Sequence, residues 1–174
     1  MVSPHQCWKV RYKNRFLSAI LGELAGNARI SFEGKLKIEN FERFPGASFE
    51  ETSILKRNTT WPRQDFAILP LEPSTIHPII AAIGGTIPRD VRHIQIEKDG
   101  RLEFAAWDKF HRETIYLGEA LSAEFIDSIV SAGLLHKLEA SPAGPGSPRQ
   151  PAPHNPSILV SVILVLRRLF PMLR

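Results

Sequence analysis

The chain has 174 residues, one cysteine and a formal net charge of +4. A single cysteine excludes an internal disulfide and a zinc site built from several thiolates, and the length indicates one main domain. The positive charge lies at the two ends, because residues 16–139 carry 14 basic and 18 acidic side chains, a net charge of −4. Phosphate binding needs clustered basic residues, so this distribution argues against nucleic acid as a partner.

The N-terminal segment predicts a helix and no export signal. Residues 1–16 contain no apolar core of the kind that a signal peptide requires, so we expect a cytoplasmic protein. Ser3 and Gln6 fit a helix-capping box, and apolar residues then recur at helical spacing as far as Leu24. A strand is the alternative for residues 8–13, which alternate between apolar and basic side chains; we favour the helix.

The middle of the chain predicts short strands and a long loop. Residues 28–32 and 36–38 suggest a strand pair, and residues 39–63 are weakly patterned. Residues 65–71 form a short apolar strand whose Pro70 indicates a sheet edge. Thr75 is positioned to cap a helix that ends before two consecutive glycines.

Residues 91–108 predict a β-hairpin. A three-residue loop, Lys98 to Gly100, pairs Ile96 with Leu102 and places the apolar side chains on one face. The same register sets Glu97 opposite Arg101 and leaves the second face wetter.

The order of elements predicts an α+β fold with a mainly antiparallel sheet and helices on one face. After the hairpin come a short strand at 114–117, a helix capped by Ser122 and a strand at 134–138. From residue 65 the order is strand, helix, strand, strand, helix, strand, which is typical of a ferredoxin-like βαββαβ core over residues 65–139. The N-terminal helix and hairpin would be additions to it.

The C-terminal part of the chain predicts a linker and an apolar tail. Six prolines lie in residues 140–156, which is typical of a flexible linker with a disordered C-terminus. We therefore expect one α+β domain at 1–139, the linker, and a short tail at 157–174.

The tail has several interpretations. Its uncharged run of nine residues is too short to span a bilayer as a helix. It is an incidental extension, folds back onto the domain, docks on a protein partner, or makes peripheral contact with a membrane. For docking, Ile158, Val162 and Leu166 are the candidate contact residues.

One group of residues has the chemistry of a catalytic site. Asp108, His111 and Glu113 follow the hairpin, and His93 belongs to its wetter face. Carboxylates and imidazoles perform general acid–base work or hold a divalent metal. Their spacing is generic, however, and such residues are common in loops because they bond to local backbone.

The remaining motifs exclude several enzyme classes and cofactors. The sequence has no HExxH, CxxC pair, GxSxG or Walker lysine, so we expect neither a cofactor nor a metal. The leading hypothesis is a small non-enzymatic module that binds a protein partner, with Trp107 and Arg101 as further contact candidates. The alternatives are a small enzyme using the Asp/His/Glu group and a weak nucleic-acid binder acting through the basic termini.

Overall fold

The computed structural model describes residues 7–138, which form an α+β domain with antiparallel sheets, as the order of elements predicts. The predicted linker and tail, including Ile158, Val162 and Leu166, and the proposed cap at Ser3 lie outside these residues. The elements are β1 Cys7–Val10, α1 Lys13–Leu24, β2 Ala28–Gly34, α2 Ile38–Glu42, β3 Asp65–Leu71, α3 Ile76–Ala82, β4 Val91–Lys98, β5 Arg101–Ala106, β6 Ile115–Leu117, α4 Ala123–Ser131 and β7 Leu135–Leu138.

The strand order differs from the predicted ferredoxin-like arrangement. The main sheet has five strands in the order β3-β2-β4-β5-β6, and all its pairs are antiparallel. A ferredoxin-like core would place β7 in this sheet, whereas β7 pairs with β1 in a separate two-stranded ribbon. The first long strand, β2, lies inside the main sheet between β3 and β4, so it is central to the fold rather than an addition.

Two of the expected N-terminal elements are wrong. The segment at 7–10 is the strand that alternation indicated, and the helix begins only at Lys13. The strand expected at 36–38 is absent, since α2 begins at Ile38. In both cases pairing with a distant segment decides the structure: β1 pairs with β7, and β2 pairs with β3 and β4.

The main core lies between one face of the sheet and the helices, as predicted. Phe16 of α1 contacts Phe104 of β5 and Phe110, with ring centroids 5.9 and 6.3 Å apart. Ser122 caps α4, because its Oγ accepts a hydrogen bond from the Phe125 N–H at 3.1 Å. The side chains that complete this layer are fully buried: Leu17, Ile20, Leu21, Ile30, Phe32, Leu69 and Ile96.

The strand register of the β4–β5 hairpin differs from the predicted one. Lys98 pairs with Arg101 across a two-residue turn, in which Asp99 and Gly100 both have positive φ. A β-bulge then shifts the register, so that Ile96 faces Phe104. The predicted three-residue loop and the pairing of Ile96 with Leu102 are therefore wrong.

Both edges of the main sheet are short or partly covered. Pro70 lies in the edge strand β3, as predicted, and Ser48 exchanges two backbone hydrogen bonds with Ile68 along that edge. A proline and a bridge of this kind limit the pairing of an edge with another chain. Among residues 7–138, no helix has the length and apolar character needed to cross a bilayer.

Candidate functional site

The second face of the main sheet is polar and yet buried. Residues 52–59 lie across it, so the face that the hairpin pattern predicted to be wetter is covered. Its buried polar side chains are Ser31, Glu33, Gln95, Glu97 and Glu103. Burying a carboxylate costs free energy unless its oxygens are hydrogen-bonded, so the partners of these glutamates show what the face does.

Glu33 holds the covering segment by its backbone. The side chain is fully buried, and its two oxygens accept hydrogen bonds from the backbone N–H groups of Asn58 and Thr59 at 2.7 and 2.8 Å. Because charge-assisted bonds of this kind are among the stronger ones in proteins, this carboxylate fixes the position of residues 58 and 59.

The other two buried glutamates have similar roles. Glu97 contacts Arg29 at 2.7 Å and accepts from the Thr52 hydroxyl at 3.3 Å. Glu103 accepts from the backbone N–H of Ala120 at 2.8 Å. Glu33 and Glu97 therefore hold the two ends of the covering segment, and Glu103 holds the loop at Ala120.

A small apolar cluster completes the attachment of the covering segment. Leu55 is fully buried against Phe66 and Ile68, the outward-facing side chains of β3. The guanidinium of Arg57 lies 4.7 Å from the centre of the Phe66 ring, a cation–π contact. The segment is held by apolar packing at one point and by hydrogen bonds at others.

The anchored residues 58 and 59 and the exposed residues 60–63 together form a loop, residues 58–63, which we call the Trp61 loop. The Trp61 side chain is 86% exposed, far more than any other large apolar side chain of residues 7–138. Tryptophan side chains are highly buried on average, so the residue type alone does not predict this exposure. Arg63 is exposed in the same loop.

His93 connects the Trp61 loop to the turn after the hairpin. Its Nδ1 accepts a hydrogen bond from the backbone N–H of Asp108 at 3.1 Å, and its Nε2 lies 3.1 Å from the Thr59 hydroxyl. Burial lowers the pKa of His93, although Glu33 and Asp108 oppose that shift. Since Nδ1 is an acceptor, the neutral imidazole carries its proton on Nε2 and donates it to Thr59.

The residues after the hairpin form a left-handed turn. Asp108, Lys109 and Phe110 have φ values of 44, 61 and 64°, and the His111 N–H donates to the Trp107 carbonyl at 3.1 Å. Left-handed backbone is unfavourable for such residues. It persists because its neighbours hold it: the Lys109 N–H donates to the Arg92 carbonyl at 2.7 Å.

The structure does not bring the predicted catalytic group together as a metal site. Asp108, His111 and Glu113 are all exposed, and the nearest link is a 3.5 Å contact between the Glu113 N–H and His111 Nδ1. Within residues 7–138, no three His, Cys, Asp or Glu side chains are placed to hold a metal ion. His93 is hydrogen-bonded to this segment through the backbone N–H of Asp108.

The two predicted contact residues of the hairpin have separate environments. Arg101 is exposed and lies 2.8 Å from the Glu119 carboxylate. Trp107 is half-buried, and its indole N–H is buried without a hydrogen-bond partner among residues 7–138. Among the basic N-terminal residues, Lys13 donates to the Lys109 carbonyl at 2.6 Å and Arg11 stacks on Tyr12.

The environment of His93 predicts a pH-dependent stability. The pKa of His93 is lower in the folded protein than its usual value of about 6.5 in the unfolded chain. At a pH between these two pKa values, the unfolded state therefore binds more protons than the folded state. We expect the free energy of unfolding to decrease as the pH falls through about 6.5 and this contribution to level off below the folded pKa. His93→Asn should flatten this dependence in urea titrations at pH 5–7.5.

The matched control for this prediction is His77→Asn, which removes an exposed histidine. If the wild type and His93→Asn lose stability equally as the pH falls, the protonation of His93 is not the cause.

Comparison of the chain with protein-family models, with curated proteins and with solved structures finds no match in any of the three.

Proposed function

We propose that the protein is a non-enzymatic module that binds a protein partner through the Trp61 loop. The observation that carries the proposal is the 86% exposure of Trp61 beside the anchors at residues 58 and 59. When a partner covers a large apolar side chain that was exposed to water, the free energy of the complex is lowered.

The chemistry of the loop suits a protein interface. Tryptophan and arginine are the residue types most enriched among side chains that dominate binding energy, and Trp61 and Arg63 are both exposed here. The apolar ring would enter a pocket of the partner, and the guanidinium would pair with an acidic group at its rim.

The anchors reduce the cost of binding. Glu33 fixes the backbone at Asn58 and Thr59, and His93 fixes the Thr59 hydroxyl. A loop that is already ordered loses less conformational entropy when it binds.

The polar side chains beneath the loop, His93 and Glu33, are better placed to hold the loop in position than to catalyse a reaction. A threonine nucleophile needs a base that accepts its proton, but His93 already carries a proton on Nε2, the atom that faces Thr59. Both oxygens of Glu33 are occupied by backbone N–H groups. These contacts leave the cluster a structural role under the exposed loop.

Trp61→Ala tests the proposal. We expect the variant to lose at least about tenfold in affinity for a partner captured by the wild-type chain, because a central tryptophan contributes about 2 kcal/mol or more. Affinity would be measured by calorimetry with the purified partner. The stability of the variant should change by less than about 0.5 kcal/mol, since the ring is exposed.

The matched control is Tyr116→Ala, which removes an aromatic side chain that is 43% exposed on β6. Equal affinities of the wild type and Trp61→Ala would contradict the proposal. A chain without residues 140–174 separates the loop from the tail: if that deletion alone abolishes binding, the tail is the contact element.

A further inference from the structure

A cleft of about 480 Å³, to whose lining the Trp61 loop does not contribute, lies at the end of the sheet where β2 ends and β4 begins. One wall is the segment from Lys35 to Phe41, and the other runs from the end of α3 at Ala82 to Val91. This volume falls within the range of small-molecule sites in proteins.

The floor and the rim of the cleft differ in character. Phe41, Ile83 and Val91 line it and are almost completely buried, which gives an apolar floor. The rim contains exposed charged side chains, Lys35, Lys37 and Asp90. An amphipathic molecule would match this division, with its apolar part on the floor and its charged group at the rim.

The charge at the rim indicates the sign of that group. Among residues 7–138, neither Lys35 nor Lys37 forms an ion pair or a side-chain hydrogen bond, so both ammonium groups are available to a ligand. Against these two positive charges stands the single carboxylate of Asp90. The net charge of the lining is therefore positive.

We propose that this cleft binds a small amphipathic carboxylate, with an alkyl or aryl group against Phe41 and Ile83 and the carboxylate between Lys35 and Lys37. Apolar burial supplies most of the affinity, at about 0.8 kcal/mol for each buried methylene group. The lysines select an anion over a neutral or cationic molecule of the same shape.

The experiment compares octanoate with octylamine, which share an alkyl chain and differ in charge. Each is titrated below its micelle concentration into the full-length protein and followed by calorimetry and by NMR shifts of the cleft residues. We expect saturable binding of octanoate, and binding of octylamine at least about fivefold weaker because its charge meets the lysines. Equal affinities, or no saturable binding of octanoate, would overturn the proposal.

Two variants change the charge of the rim in opposite directions. The double variant Lys35→Gln with Lys37→Gln should weaken octanoate binding about fivefold, and Asp90→Asn should strengthen it about twofold. All three side chains are exposed, so folding should be preserved, as circular dichroism would show. Lys137→Gln on β7 is the control, and an equal effect of that control and the double variant would also overturn the proposal.

Discussion

Gly34→Ala should cost about 4 kcal/mol of folding free energy, the largest single effect that we expect from a minimal substitution. Gly34 ends β2 at a β-bulge and has a φ of 152°, a conformation that residues with a side chain rarely adopt. A Cβ atom there would lie 2.1 Å from the Asp90 carbonyl oxygen and 2.8 Å from the Val91 Cα. Both atoms belong to the backbone, so the contact cannot be relieved by a side-chain rotation.

The matched control is Gly22→Ala, the same change in the interior of α1. A Cβ at that position would meet no atom of the described part of the chain within 4 Å. Alanine favours a helix over glycine, so this variant should be more stable by about 0.5–1 kcal/mol. Urea unfolding of the two variants and the wild type measures both effects, and an equal stability of Gly34→Ala and the wild type would refute the prediction.

Glu33→Ala should lower the free energy of unfolding by about 3 kcal/mol, because it removes the acceptor of two backbone N–H groups. The amide protons of Asn58 and Thr59 should then exchange with solvent faster, since these residues lose their attachment to the sheet. NMR-detected exchange measures this directly. The loss should also weaken partner binding, because the Trp61 loop would have to be ordered on association.

Glu33→Gln and Glu50→Ala complete the test. Glutamine keeps one oxygen acceptor but turns an NH₂ group towards the second backbone donor, so we expect about half of the alanine effect. Glu50 is an exposed glutamate just before the covering segment, and its removal should change stability by less than about 0.5 kcal/mol. If exchange at Asn58 is as slow in Glu33→Ala as in the wild type, Glu33 does not hold the loop.

Local patterns predicted the elements that local interactions determine. The helix capped by Ser122 is present, and so is the strand ending near Pro70, because a cap and a missing N–H act within a few residues. The strand β1 was missed for the opposite reason. The helical spacing downstream outweighs the alternation of residues 8–13, and the pairing of β1 with β7 joins segments more than 120 residues apart, which no local signal reveals.

The hairpin shows how a register argument can identify a face and still miss the pairing. Ile94, Ile96, Phe104 and Ala106 do share the core face. A three-residue loop was expected because it aligns the alternation on both strands without a defect. The protein instead uses a two-residue turn and places a bulge beyond Ile96, which moves Leu102 to the second face, against the cluster around Leu55.

The candidate site was less predictable than the fold. The sequence around Glu33 does not indicate that its carboxylate accepts hydrogen bonds from two backbone N–H groups. These donors belong to a loop about 25 residues further along the chain. Nor does the sequence show that Trp61 faces solvent, because tryptophan is buried more often than it is exposed. The one available signal is the polar alternation of the hairpin strands β4 and β5, which predicts a wetter face but does not show that a loop covers it.

The way in which the Trp61 loop is attached determines which amino-acid substitutions the loop can accept. Glu33 accepts hydrogen bonds from backbone N–H groups, which nearly every amino acid provides. These two hydrogen bonds therefore do not depend on which side chains are present at residues 58 and 59. Residues 60–63 are exposed beyond these two positions. Their identities can therefore be exchanged while the support stays constant, so a partner specificity of the kind we propose would be adjustable separately from folding.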